Sequence, residues 1–149
     1  MANYAVRLRR TASASASLGV VVADATRPRR GEVYEWILGS EAAPADNVFL
    51  YILQRITTAG TSTVVTPQPI DPADAATEFD AGENVTVEPT YTANAFMLDI
   101  PLNQRATFRW IANDTSRLVW PATASNGFGI STPTMTAVAI TSQLLVNER

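Results

Sequence analysis

Apolar side chains recur at every second position along most of this chain, and that spacing restricts the fold more than any other feature. Residues 95–111 carry it most clearly. Phe96, Leu98 and Ile100 share one parity in a first run, and Ala106, Phe108 and Trp110 share one parity in a second, with Asp99, Thr107 and Arg109 on the alternate positions. A period of two places such residues on one face of a strand. Pro101-Leu-Asn-Gln-Arg105 lies between the runs and supplies a φ-locked residue and turn-forming polar groups. The stretch predicts a β-hairpin with a packed inner face and a polar outer one.

The same alternation extends in both directions. Tyr4, Val6 and Leu8 alternate with Ala5, Arg7 and Arg9. Residues 18–23 are a β-branched run. Residues 32–38 set Tyr34, Trp36 and Leu38 on the side that looks inward. Residues 47–58 are the most hydrophobic piece, with Val48, Leu50, Ile52 and Ile56 on one face and Phe49, Tyr51 and Leu53 on the other. A strand apolar on both faces is buried on both sides or meets a partner chain. Ala59-Gly-Thr61 reads as a turn, with residues 62–66 returning as the hairpin partner. Residues 134–146 close the chain as a long strand, again apolar on both parities.

Between these runs stand Pro and Gly punctuators. Asp71 followed by Pro72 reads as the start of one short helix over 72–76. The tract from Thr11 to Ser17 fits either a flexible linker or a strand of small residues packed close to a neighbour. The expectation is therefore all-β: a β-sandwich or jelly-roll-like barrel of about ten strands with at most one short helix. The 149 residues suit one β domain, 1–149, with residues 1–17 as a possible N-terminal arm or edge strand.

Composition narrows the chemistry. The chain has no cysteine and no histidine. That removes thiolate and imidazole metal ligands, the ordinary nucleophile–base pairs and the usual general base. The acids Asp71, Asp74, Glu78 and Asp80 cluster in one Pro-rich stretch, at spacings that match no calcium loop, and read as solvated carboxylates. Trp36, Trp110 and Trp120 suit a core better than a sugar platform. No catalytic, cofactor-binding or metal-binding residue is assigned, and no small-molecule substrate is implied. No apolar run approaches the ~18 residues that cross a bilayer, and no secretory signal is read, so a membrane is not an expected partner.

Every one of the eleven cations is arginine. A GC-rich genome explains this, and so does selection for permanent protein contacts, which the arginine fork suits. Residues 1–30 hold six arginines against Asp24, a net of +5, while residues 31–149 hold five arginines against thirteen carboxylates, a net of −8. Arg7, Arg9, Arg10, Arg27, Arg29 and Arg30 are thus the candidate partner-binding residues, either as an adhesive basic segment or as a solvated edge. The sequence pI of about 4.8 and the lack of an aromatic-interleaved basic patch argue against nucleic acid.

Three blocks carry a resemblance: Glu88-Pro-Thr-Tyr91, residues 99–110 (DIPLNQRATFRW) and residues 118–130 (LVWPATASNGFGI). They resemble the capsid decoration, or cement, proteins and related head-surface proteins of tailed bacteriophages. The resemblance implies a non-enzymatic virion protein that assembles in the host cytoplasm and sits on the capsid surface, binding the major capsid protein as a homo-oligomer, most often a trimer. It transfers no site residue. The rival expectation is a receptor- or carbohydrate-binding β-sandwich module of a phage tail or head fibre, which would cluster exposed Trp, Tyr and Asp in loops at one end. A carboxylate-dependent glycan hydrolase ranks third.

Overall fold

The structure is a computed structural model that describes residues 2–10, 16–42, 44–133 and 138–149. The described residues form twelve strands and no helix: β1 (Ala2–Arg10), β2 (Ser17–Ala23), β3 (Gly31–Ser40), β4 (Val48–Thr58), β5 (Thr61–Val65), β6 (Gln68–Pro69), β7 (Phe79–Val87), β8 (Thr90–Asn103), β9 (Phe108–Ile111), β10 (Leu118–Trp120), β11 (Gly127–Ser131) and β12 (Ile140–Glu148). They build two antiparallel sheets. The first runs β10-β3-β12-β1-β6, with β9 also on β3; the second runs β5-β7-β2-β11-β4-β8. The result is a sandwich, not a closed barrel.

One apolar cluster fills the space between the sheets. From the first sheet come Tyr4, Val6, Leu8, Trp36, Leu144 and Val146; from the second come Leu18, Val21, Phe49, Tyr51, Leu53 and Phe128. Rings meet edge-on through it, as in Phe79–Trp120 and Trp120–Phe128, whose centroids are 5.6 and 6.2 Å apart. Edge-to-face contacts favour such rings beyond their burial. Arg55 follows the inward parity of β4 but is polar. Its guanidinium lies 5.2 Å above the Phe128 ring and donates to the Val119 carbonyl at 2.8 Å, tying the second sheet to the first.

The 95–111 stretch is not a hairpin. β8 pairs with β4, and β9 pairs with β3 in the opposite sheet. The turn is where it was expected, closed by Ala106 N–H on the Asn103 carbonyl at 2.9 Å, but it carries the chain across the sandwich. Leu98, Ile100, Phe108 and Trp110 all pack on the shared core, face to face. Alternation marks which residues point inward and is blind to whether two strands lie side by side or opposite each other.

Residues 62–66 do not return along β4 either. Gly60, at φ +68, turns the chain so that β4 continues into β5, and β5 pairs with β7. Likewise β7 runs through Glu88-Pro89 into β8. The β4–β8 ladder, with Thr58 opposite Thr90, thus continues as the β5–β7 ladder, with Thr61 opposite Val87. Because β7 also pairs with β2, this ribbon arches back over the outward face of its own sheet. There Val20, Val22 and Ile56 form a second small core, covered by Ala59 and Tyr91.

Three smaller differences follow local chemistry. In β3 a bulge at Tyr34 shifts the parity, so Val33 faces the core before it and Trp36 and Leu38 after it. After Asp71-Pro72 the chain makes a turn, with Ala73 N–H on the Asp71 carboxylate at 2.9 Å and Asp74 N–H on its carbonyl at 3.0 Å. The side chain competes with a helix for the same donors. The last strand starts at Ile140; Met135 and Ala137, counted in the two-faced apolar run, lie outside the described residues, as do residues 11–15 of the low-complexity tract.

Candidate functional site

The six N-terminal arginines fall into two groups at opposite ends of β1. Every residue of β1 pairs with β12, so this strand belongs to its own subunit's sheet. Tyr4, Val6 and Leu8 are fully buried beneath it and present nothing to a partner. Arg7 and Arg9 project outward. Arg10 is buried, donating to the Thr132 hydroxyl and the Ala16 carbonyl, each at 2.8 Å. Arg27, Arg29 and Arg30 lie in the loop before β3, beside the other end of β1: Arg149 N–H donates to the Arg30 carbonyl, and Ala2 is paired with Glu148. Some seven strand residues, about 23 Å, separate the groups.

Most of these cations are already engaged. Arg9 pairs with Glu41, which also accepts from Thr141. The Arg9 guanidinium and the Thr141 hydroxyl pull the Glu41 carboxyl down to about 2. Arg27 and Arg29 both pair with Glu78, the former at 3.0 Å. Glu78 N–H in turn donates to the Glu148 carboxylate at 3.0 Å, and Tyr4 Oη donates to the Ala75 carbonyl at 3.0 Å, so the Pro-rich loop is strapped across this end of the sandwich. Burial raises the Glu148 carboxyl, and the nearby Glu78 carboxylate adds to the shift. Arg7 and Arg30 remain exposed with no ion pair among the described residues.

Arg7 and Arg9 are part of a broad surface, the outward face of β1, β12, β3 and β9. Cross-strand register lays it out in rows. Ala5, Leu145, Glu35 and Ile111 form one; Arg7, Gln143, Ile37 and Arg109 the next; Arg9, Thr141 and Gly39 a third. Arg109 pairs with Glu35 at 2.7 Å. Ile111 is 56% exposed. Beside this face runs a groove of about 530 Å³ between β1 and β5, bordered by Arg7, Gln143, Gln68, Val64, Val65 and Glu83.

Sequence reasoning missed the residues that organise these charges. Glu41, Glu78 and Glu83 are 32 or more residues away along the chain from the arginines they meet. Glu32 is buried and holds both Arg117, at 2.5 Å, and Arg149, at 2.8 Å. Its only sequence signal is a carboxylate at a strand start next to inward positions. The Asp71–Asp80 acids do not converge: Glu78 faces arginines, Asp71 folds onto its own turn, and no described group of three acidic residues forms a metal site. Trp36 and Trp120 are fully buried, and Trp110 is half-buried against the core.

The chain matches no protein-family model and no curated protein.

Proposed function

We propose that this chain is a non-enzymatic structural protein of a tailed-bacteriophage virion, one that decorates the capsid surface as a homo-oligomer, a trimer, and stabilises the shell by binding the major capsid protein. The observation that carries the reading is the outward face of β1, β12, β3 and β9. It spans four strands and sets Arg7, Arg9 and Arg109 among half-buried aliphatic side chains such as Ile37 and Leu145. Arginine beside aliphatic surface suits recognition of a broad protein surface. Arg7 and Arg9 supply its basic margin, and Arg27, Arg29 and Arg30 a second patch at the far end. Single rim ion pairs contribute only ~0–1 kcal/mol. Repetition around an oligomer multiplies their effect through avidity.

A glycan- or receptor-binding module draws less support, because Trp36, Trp120, Tyr4 and Tyr51 are spent on the core. Mass spectrometry and cryo-electron microscopy of purified particles test the proposal. The expected result is stoichiometric protein and sandwich-shaped trimeric density at repeating outer-capsid positions. Particles without the chain, or with a copy or two at the tail, sink it.

A further inference from the structure

Sheet edges are where a β protein admits or refuses another strand. The longest edge, β8, is guarded. Gln104 N–H donates to the Asn47 carbonyl, and this sets the ladder so that Pro101, opposite Leu50, turns its nitrogen toward the open side. Pro101 has no N–H to offer, and Asp99 places a charge two residues before it. β9, β10 and β6 hold four, three and two residues.

β1 is different. β6 pairs with it only at Tyr4 and Ala5, and beyond Gln68 the chain parts from β1 and belongs to β5 in the second sheet. The Asn3 carbonyl accepts from Ile70 N–H at 2.8 Å, so odd-numbered residues of β1 aim their main-chain groups away from β12. Arg9 N–H is met by the Glu83 carboxylate at 2.7 Å. Between these two positions the N–H and C=O of Arg7 face the 530 Å³ groove, with no described backbone or side-chain group bonded to them. An inner, fully packed strand thus exposes a short rigid edge beside a groove whose far wall is Val64, 84% exposed, and Val65.

We infer that this seam takes one extended segment of the partner shell protein, added antiparallel along β1 at Arg7, with a carboxylate set against the Arg7 guanidinium and an aliphatic residue against Val64. The inference rests on the decoration reading for the identity of the partner. Main-chain bonds to Arg7 give the segment its register, as in other strand additions. A second copy of this chain is the poorer occupant. Symmetric pairing about Arg7 would set two arginines opposite each other, and like charges facing across strands are destabilising. Arg9 does not serve the same role, since its guanidinium is held by Glu41 and its N–H by Glu83.

The test uses the full chain, empty shells of the phage that encodes it, and two variants. Arg7→Pro removes the outward N–H and leaves the β1–β12 ladder bonded, the device β8 already carries. Arg7→Glu reverses the charge and keeps the edge; if the proline variant fails to fold, this one still decides. Both are compared with the unmodified chain for half-saturation of decoration, and hydrogen exchange follows the Arg7 amide. The expected result is binding at least tenfold weaker for each folded variant, and at least tenfold slower exchange of the Arg7 amide when the unmodified chain is on shells. Variants that decorate normally, or an Arg7 amide no slower on shells than free, overturn the seam and leave the decoration reading standing. An unmodified chain that never binds shells overturns both. Slowed exchange at Arg7 in concentrated protein without shells assigns the edge to a second copy and overturns the inference.

Discussion

The two sheets treat their outward faces differently. The first packs one face on the core and leaves most of the other uncovered, and β1 shows the alternation cleanly: Tyr4, Val6 and Leu8 are buried while Ala5, Arg7 and Arg9 are not. The second buries part of both faces. Leu18, Val21 and Ala23 of β2 enter the main core, and Val20 and Val22 enter a second core under the arched ribbon. Glycines make that closure possible. Gly129 and Gly127 stand opposite Val20 and Val22 on the covered face. A Cβ at Gly129 would lie 2.8 Å from Tyr91 Oη and 3.1 Å from Ile56. Tyr91 Oη bonds Ser17 Oγ at 2.7 Å, Ser17 bonds Glu88, and burial raises the Tyr91 hydroxyl to about 12. The comparison separates two cases of a strand that is apolar on both faces. In β2 the second face is covered by the chain itself. In β4 Val48 is 61% exposed and Leu50 and Ile52 are half-buried, so the second core under the ribbon does not extend to that end of the strand.

Mutations ranked by expected effect can break or sharpen this contrast. Trp36→Ala opens the main core at a fully buried ring whose N–H donates to Ser142 at 2.8 Å, and should cost about 3–5 kcal/mol in denaturant unfolding. Ile56→Ala tests whether the second core is a packed interior; the expected cost is about 2–3 kcal/mol, and a near-zero value would mean the arch does not close over it. Gly129→Ala should cost about 1–3 kcal/mol by driving a methyl into Tyr91, and a neutral result would show the ring free to move. Tyr91→Phe keeps the ring and loses the bond to Ser17, for about 1 kcal/mol.

The smallest effect belongs to the open face. The Glu41 carboxyl is held at about 2, below its ordinary 4.5, so its ion pair with Arg9 stabilises the fold at pH above about 4.5 and that contribution is lost as pH falls toward 2. Glu41→Gln should flatten the acid limb of a Tm-against-pH profile over that window, with a change of a few degrees at most at pH 7. An identical acid limb in the variant would assign acid sensitivity to other carboxylates.

Much of the architecture was legible in the residues. Period-two runs, Pro and Gly punctuation and the absence of helical spacing dictated an all-β chain, and the inward parity of β1 follows from alternation alone; β4 reads as apolar on both faces, and in β8 a bulge at Met97 breaks the expected parity and leaves Phe96 49% exposed. Charge counting marked Arg7, Arg9, Arg10, Arg27, Arg29 and Arg30 as a group. Tertiary structure decided the rest. Alternation is a local property, so it names an inner face without naming the strand across from it; for that reason 95–111 reads as a hairpin and folds as a crossing between sheets. Charge is likewise counted along the chain but neutralised through space: Glu41 and Glu78 come from distant elements to hold Arg9, Arg27 and Arg29, and Arg10 turns inward. What the fold leaves exposed, Arg7 at an unpaired edge, depends on where the two-residue strand β6 ends, and that edge exists only once the sheets are assembled.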